Sequence, residues 1–222
     1  MSVQRAVWEE RDVTNVAGAE FAARTYIEQL DVRRYLARIV SDGNIHHVCD
    51  VGAGYGRLTP VLKEFCDHVV AFEREPALVE KGSFLHPTIE YRMVESLAAL
   101  PAGDAEFDFA LVFTVLQHLG DSPAERAVAE LRRVIQPGGY ILVCEETNDS
   151  YVYGDLAKEH SAFTIGRSVE QYKKWMSPFT LIRRTPRRTE RCPVGPEFGQ
   201  YLLFRRYYGG LAKELKEVRP FG

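Results

Sequence analysis

The residues with the most chemical content stand together in Val48-Cys49-Asp50-Val51-Gly52-Ala53-Gly54-Tyr55-Gly56. An acid is followed by three glycines at alternate positions, and residues without Cβ let backbone come close to a ligand. A helix starting just beyond them would aim its unpaired first N–H groups at the same place. A dinucleotide fingerprint needs a glycine at position 57. The chain has Arg57 there, which counts against a nicotinamide oxidoreductase. Asp50, ahead of the first glycine, suits a ligand that carries an ammonium group near the turn. About twenty residues past that glycine, Glu73 closes the run Val69-Val70-Ala71-Phe72-Glu73, where an acid can accept from both hydroxyls of a ribose. The plain alternative for Glu73 is an acid at a helix start, with Pro76 just ahead.

These residues need strands to deliver them. Short apolar runs at Ile45–Val51, His68–Phe72, Ile89–Val94, Phe107–Phe113 and Tyr140–Cys144 read as strands, and near-continuous apolar strands belong to parallel sheets covered on both faces. Helical periodicity is clearest over Asp121–Ile135, with Ser122 read as the N-cap, Pro123 as the first helical residue and Glu125 as the partner in a capping box. Pro137-Gly138-Gly139 is its expected stop. A second helix follows Gly56 with Leu58, Val61, Leu62 and Phe65 on one face. Asn15–Leu30 and Asp31–Val40 form a helical arm, Ser168–Met176 a later helix, and Phe179–Arg184 with Gly199–Arg205 a pair of strands. The expected division is therefore an arm or lid over residues 1–44 and a domain over 45–222.

Composition sets outer limits. With 222 residues, 45% apolar and 27% charged, the chain can bury roughly 70% of its unfolded surface without staples. The longest apolar run, Phe109 to Leu116 with Thr114 inside it, is far short of the ~20 residues that cross a bilayer. The opening MSVQRAVWEERD has no hydrophobic signal core. Cys49, Cys66, Cys144 and Cys192 stand far apart with no metal-ligand spacing, so buried free thiols in a reducing, cytoplasmic setting are expected.

Taken together, DVGAGYG, Glu73, the stretch ALPAGDAEFDFALVFTVLQHL and IQPGGYILVCEE make residues 45–147 resemble the class I S-adenosylmethionine-dependent methyltransferases, in the small methyltransferase type 11/25-like group. The resemblance implies an α/β, Rossmann-like, seven-stranded and mostly parallel sheet, its last strand antiparallel and supplied by the C-terminal pair, with helices on both faces. It implies S-adenosyl-L-methionine as cofactor, S-adenosyl-L-homocysteine as product, a cofactor half over 45–147 and an acceptor half over 148–222. Carried over by position, Asp50, Gly52, Ala53, Gly54 and Gly56 surround the methionine end and Glu73 takes the ribose. Arg74, Glu95 and Ser96 face the adenine, and Thr114 lines the sulfonium end.

The expected reaction is methyl transfer by in-line displacement to an oxygen or nitrogen of a small organic molecule. Alternatives are a protein or RNA acceptor, or a subunit that binds the cofactor without turnover. His118, five residues past Phe113, is the candidate base, since imidazole titrates near operating pH; its other reading is a ring bonded to backbone at the turn. Gln117, Glu146, Tyr151 and Tyr153, with Glu145, Thr147 and His160, stand where such enzymes form the acceptor pocket. Trp8 and Tyr26 are either a lid or packing onto the sheet, and Tyr172 with Trp175 either core or acceptor wall. Arg183, Arg184, Arg187, Arg188 and Arg191 either attract a phosphate- or carboxylate-bearing partner or form a solvated edge that discourages strand pairing. No Asn/Asp-Pro-Pro-aromatic tetrapeptide, Pro-Cys pair or oxygen-ligand set is present. Neither DNA-base chemistry nor a metal is therefore expected; nucleic acid is a disfavoured partner and a membrane is not one.

Overall fold

The computed structural model describes residues 19–43, 45–154, 163–188 and 199–208. Trp8, His160, Arg191 and Cys192 lie outside the described residues.

Five strands form the parallel part of the sheet: β1 (His47–Val51), β2 (His68–Glu73), β3 (Glu90–Met93), β4 (Phe107–Phe113) and β5 (Ile135–Glu145), all largely buried except the more exposed edge strand β3. All four contacts among them are parallel. A two-stranded ribbon, β6 (Val152–Tyr153) and β7 (Thr164–Ile165), stands apart. β8 (Thr180–Pro186) and β9 (Gln200–Arg205) complete the main sheet, whose seven strands run β3-β2-β1-β4-β5-β9-β8. β9 is antiparallel to both neighbours. The expected sheet, with its antiparallel strand drawn from the C-terminal pair, is the one found.

Strand alternation sends side chains to two apolar layers. Cys49, Val51, Val70, Phe72, Val112 and Val143 pack under α4 (Asp121–Val134) and α5 (Val169–Met176). Tyr172 and Trp175 of α5 are buried here, so core packing is the reading that holds for them. On the opposite face Val48, Val69, Phe109, Leu111 and Leu142 meet α1 (Ala19–Asp42) and α2 (Thr59–Lys63). α3 (Pro76–Leu85) lies against β3, with Gly82 beneath the Tyr91 ring. Cys49, Cys66 and Cys144 are free and buried, as expected. Among the described residues no helix is long and apolar enough to cross a membrane.

Three local expectations are corrected. The two N-terminal helical stretches are one helix; Asp31 does not break it but faces Arg34 and Arg188. The helix after β4 is capped by Gly120 rather than Ser122, whose hydroxyl accepts from Arg126 at 2.5 Å. Pro137-Gly138-Gly139 does not end that helix. The chain turns extended at Ile135, which pairs with Phe107, and the Pro-Gly-Gly segment is absorbed in a register shift before Tyr140 pairs with Phe109, the usual effect of residues inserted opposite a shorter strand.

α1 is held to the C-terminal hairpin by charge. The Glu28 carboxylate, fully buried, takes Arg57 on one oxygen and Arg187 on the other, the latter at 2.6 and 2.9 Å. Both guanidiniums lie over the Phe113 ring, 5.2 and 5.1 Å from its centroid. Asp31 takes Arg188, and Arg183 lies 5.8 Å from the Tyr35 ring centroid. Removing one partner of a buried ion pair leaves uncompensated charge, at a cost of about 3–5 kcal/mol. Glu28→Ala is therefore expected to lower the unfolding free energy by about that amount in urea titrations; a loss under about 1 kcal/mol, the worth of an exposed pair, would show that the clamp contributes little.

Candidate active site

The strand order reverses between β1 and β4, so the chain departs to opposite sides from neighbouring tips. In open α/β sheets ligands bind in the crevice this creates. A cavity of about 600 Å³ lies there, running past the tips of β4, β1, β2 and β3. Three interstrand spacings make a span of about 14 Å, which suits a long ligand better than a compact one.

Nine of the ten residues expected around the cofactor line it: Asp50, Gly52, Ala53, Gly54, Glu73, Arg74, Glu95, Ser96 and Thr114. Gly56 does not. A Cβ on it would strike the Tyr91 hydroxyl and the His86 ring, so close packing behind the turn explains the glycine. Gly52 is held between sheet and loop: its N–H donates to the Phe72 carbonyl at 2.8 Å, and a Cβ would lie 2.5 Å from a Val115 methyl. At Gly54, with φ of +59°, a Cβ would meet nothing within 4 Å. The turn therefore keeps its open side toward the cavity.

The carboxylates have defined work. Glu73 accepts from the Gly54 N–H at 2.7 Å and from the N–H groups of Arg74 and Glu75 at 2.7 and 2.9 Å. It lines the cavity from the end of β2, two residues ahead of Glu75, the cap of the following helix. Asp50 is buried and accepts from the Thr59 hydroxyl at 2.6 Å. Burial pushes its carboxyl up to about 7, with the neighbouring Glu73 adding to the rise and the Thr59 hydrogen bond and Arg57 opposing it.

At the β4 end the chain leaves the sheet through Thr114, which has φ of +54°. For a β-branched residue this left-handed backbone is strained, by about 1–3 kcal/mol. Two buried charges hold the segment that follows. Glu145 accepts from the N–H groups of Val115, Leu116 and Gln117 at 2.8, 2.9 and 3.0 Å. Its carboxyl is raised to about 7 by burial, against those three donors. Arg167 donates to the carbonyls of Leu116 and Leu119 at 2.9 and 2.6 Å and to Asp121 at 3.0 Å.

His118, on a 3₁₀ turn over Leu116–His118, lines the cavity. Its Nδ1 is 2.7 Å from the Phe163 carbonyl, which can only accept, so Nδ1 carries the proton in the neutral ring. Nε2 is then the acceptor, 3.4 Å from the Gln117 amide nitrogen. The Gln117 carbonyl oxygen accepts from the Glu146 N–H at 2.8 Å, which fixes which way that amide faces. Both readings of His118, bonded to backbone and facing the cavity, thus describe one ring.

The acceptor-side expectations fare differently. Gln117 and Glu146 are buried and used inside the protein, Glu146 accepting from the Asn148 N–H at 2.8 Å. Tyr151 and Tyr153 are exposed and do not line the cavity. Phe163, Arg57, Phe113 and Arg126 do line it. Phe163 has no local signal, being 45 residues from the histidine it contacts. Among the described residues no group of three or more His, Cys, Asp or Glu side chains could hold a metal.

Residues 49–143 match the family model described as a methyltransferase domain. A Mycolicibacterium smegmatis protein named as a probable S-adenosylmethionine-dependent methyltransferase is 31% identical over 96 residues, 43% of this chain and 36% of that protein. A ubiquinone biosynthesis O-methyltransferase of Xylella fastidiosa is 27% identical over 141 residues, 60% of this chain and 56% of the relative. The chain thus spans between a third and somewhat over half the length of these relatives. Among solved structures, the 1,6-didemethyltoxoflavin N1-methyltransferase of Burkholderia thailandensis superposes with a TM-score of 0.65 at 19% identity, over 93% of this chain and 88% of that one. That likeness is one of fold.

Asp50 gives a measurable consequence. An acid whose folded value lies above its unfolded one contributes stability that is complete below the unfolded value and lost as pH rises through the folded one. For Asp50 the window runs from 3.8 to about 7. Relative to Asp50→Asn, the wild-type chain is expected to lose on the order of 3 kcal/mol between pH 4 and pH 8. Urea titrations of both proteins at the two pH values check this; parallel pH dependences would remove Asp50 as the source.

Proposed function

We propose that this chain, whose residues 49–143 match the methyltransferase-domain model, is a class I S-adenosylmethionine-dependent methyltransferase of the type 11 group that methylates an oxygen or nitrogen of a small organic molecule. The cofactor is S-adenosylmethionine, which when bound supplies an activated methyl group on a good leaving group. The residues fit it. The cavity falls in the size range of small-molecule sites, about 300–1,000 Å³. The observation that carries the reading is the row of polar groups along four strand tips, ending at His118.

In this reading Asp50 faces the ammonium of the methionine end, and Gly52, Ala53 and Gly54 give it room. Gly56 supports the turn from behind. Glu73, already fixed by three N–H groups, presents its carboxylate to the ribose. Arg74, Glu95 and Ser96 flank the adenine, and Thr114 stands at the reacting end. His118 takes the acceptor's proton on Nε2 while Nδ1 keeps its proton toward the Phe163 carbonyl. Orientation of the acceptor and exclusion of water supply most of the remaining acceleration.

Gln117 and Glu146 serve as positioning residues for His118. Tyr151 and Tyr153 stay assigned to the acceptor side: Tyr153 pairs with Thr164, next to Phe163, on the ribbon beside the cavity. The division into an arm over 1–44, a cofactor half over 45–147 and an acceptor half over 148–222 is kept, with Tyr26 exposed on α1. An RNA acceptor drew its support from the arginine cluster, of which Arg187 is taken up by the buried Glu28 carboxylate.

Two variants separate binding from chemistry. Glu73→Gln is expected to weaken S-adenosylhomocysteine by about tenfold or more, as loss of a charge-assisted hydrogen bond implies; calorimetry giving wild-type affinity would refute the ribose assignment. His118→Ala is expected to lower turnover about 10²–10⁴-fold with S-adenosylhomocysteine affinity unchanged. Turnover is read by transfer of labelled methyl to panels of phenols, amines, proteins and RNA. Label appearing only in protein or RNA would overturn the small-molecule assignment.

A further inference from the structure

A second concavity, of about 260 Å³, lies between α1 and the edge strand β8. Asp31, Arg34, Tyr35 and Arg38 line it from the helix, at spacings that place them on one face. Arg183 and Thr185, two apart on β8 and so on one side of the sheet, line it from the strand, with Pro186 and Arg188 just beyond. Four arginines thus converge with one aspartate, in a protein of net charge −3.

Arg34, Arg183 and Arg188 are held in place before any ligand arrives. Asp31 spans two of them, taking Arg188 and, at 3.2 Å, Arg34. Arg183 lies over the Tyr35 ring, and the Tyr35 hydroxyl is 2.8 Å from that of Thr185. Planar guanidiniums fixed this way match the oxygens of a phosphate group in paired hydrogen bonds. Tyr35 is buried beneath Arg183 and offers no open ring face on which a nucleobase could stack. The volume is small for a nucleotide.

We propose that the concavity between α1 and β8, where Arg34, Arg38, Arg183 and Arg188 meet, binds a small phosphate-type anion of orthophosphate or pyrophosphate size, separately from the cavity at the strand tips. Orthophosphate and a terminal phosphate on an organic molecule share this chemistry. Titration with inorganic pyrophosphate, orthophosphate and phenyl phosphate separates the sources: an organic phosphate is indicated where phenyl phosphate binds most tightly, a free anion where one of the inorganic ions does.

The test is calorimetry on the full chain, with S-adenosylhomocysteine present at saturation so that the strand-tip cavity is occupied. Saturable binding of one of these anions with a stoichiometry near one is expected. Arg34 and Arg38 are exposed, so Arg34→Gln/Arg38→Gln should fold normally and weaken binding by about tenfold or more. Lys173→Gln, exposed on α5, should leave it unchanged. No saturable binding, equal affinity in the double variant, or displacement of S-adenosylhomocysteine by the anion would each overturn the proposal. So would affinity for single-stranded RNA that rises with length and exceeds that of pyrophosphate.

Discussion

Strands that end at a ligand crevice leave backbone N–H groups without sheet partners, and such groups cannot be buried unsatisfied. Here two carboxylates take six of them. Glu73 at the tip of β2 holds Gly54, Arg74 and Glu75, and Glu145 at the tip of β5 holds Val115, Leu116 and Gln117. A hydrogen bond of this type contributes about 0.5–1.5 kcal/mol, and about 1.5–3 where the carboxyl is ionised. They fix the glycine turn and the segment after β4 relative to a sheet that is otherwise apolar. The cavity exists between two loops each tied to a neighbouring strand.

This arrangement explains how one site contains both rigid and strained parts. Thr114 keeps an unfavourable backbone because its N–H reaches the Cys144 carbonyl and Glu145 captures the next three residues. Arg167 completes the hold from the carbonyl side. The Phe163 carbonyl and the Gln117 amide set the tautomer and direction of His118, with the Thr164 hydroxyl 3.5 Å from Nδ1. The placing of the ring depends in part on Glu145 and Gln117, which do not line the cavity.

Much of the frame could be read from residue order. Buried parallel strands appear as unbroken apolar runs, so β1, β2 and β4 were evident, as was the acid-and-glycine turn between β1 and α2. Local rules failed where distant partners decide. Ser122 looked like a cap, yet Gly120 takes that place and Arg167 meets Asp121 in the first turn. Gly56 looked like a ligand contact and is a packing contact with Tyr91. Glu28 and Arg167 carried no signal, because Glu28 reaches Arg187 across 159 residues and Arg167 reaches Leu116 across 51. Periodicity describes which face is buried, not which charge waits there.

The position of β9 has a consequence for how the chain is made. β8 precedes it in sequence but touches β5 only through it. While a ribosome has released residues only as far as β8, the flank of β5 has no strand to cover it, and α1 lacks Arg187 as a mate for Glu28. Synthesis proceeds at about 5–20 residues per second, so the nascent protein passes through an interval in which an apolar sheet margin is open. Among the described residues, the strand latest in sequence thus lies between two earlier ones.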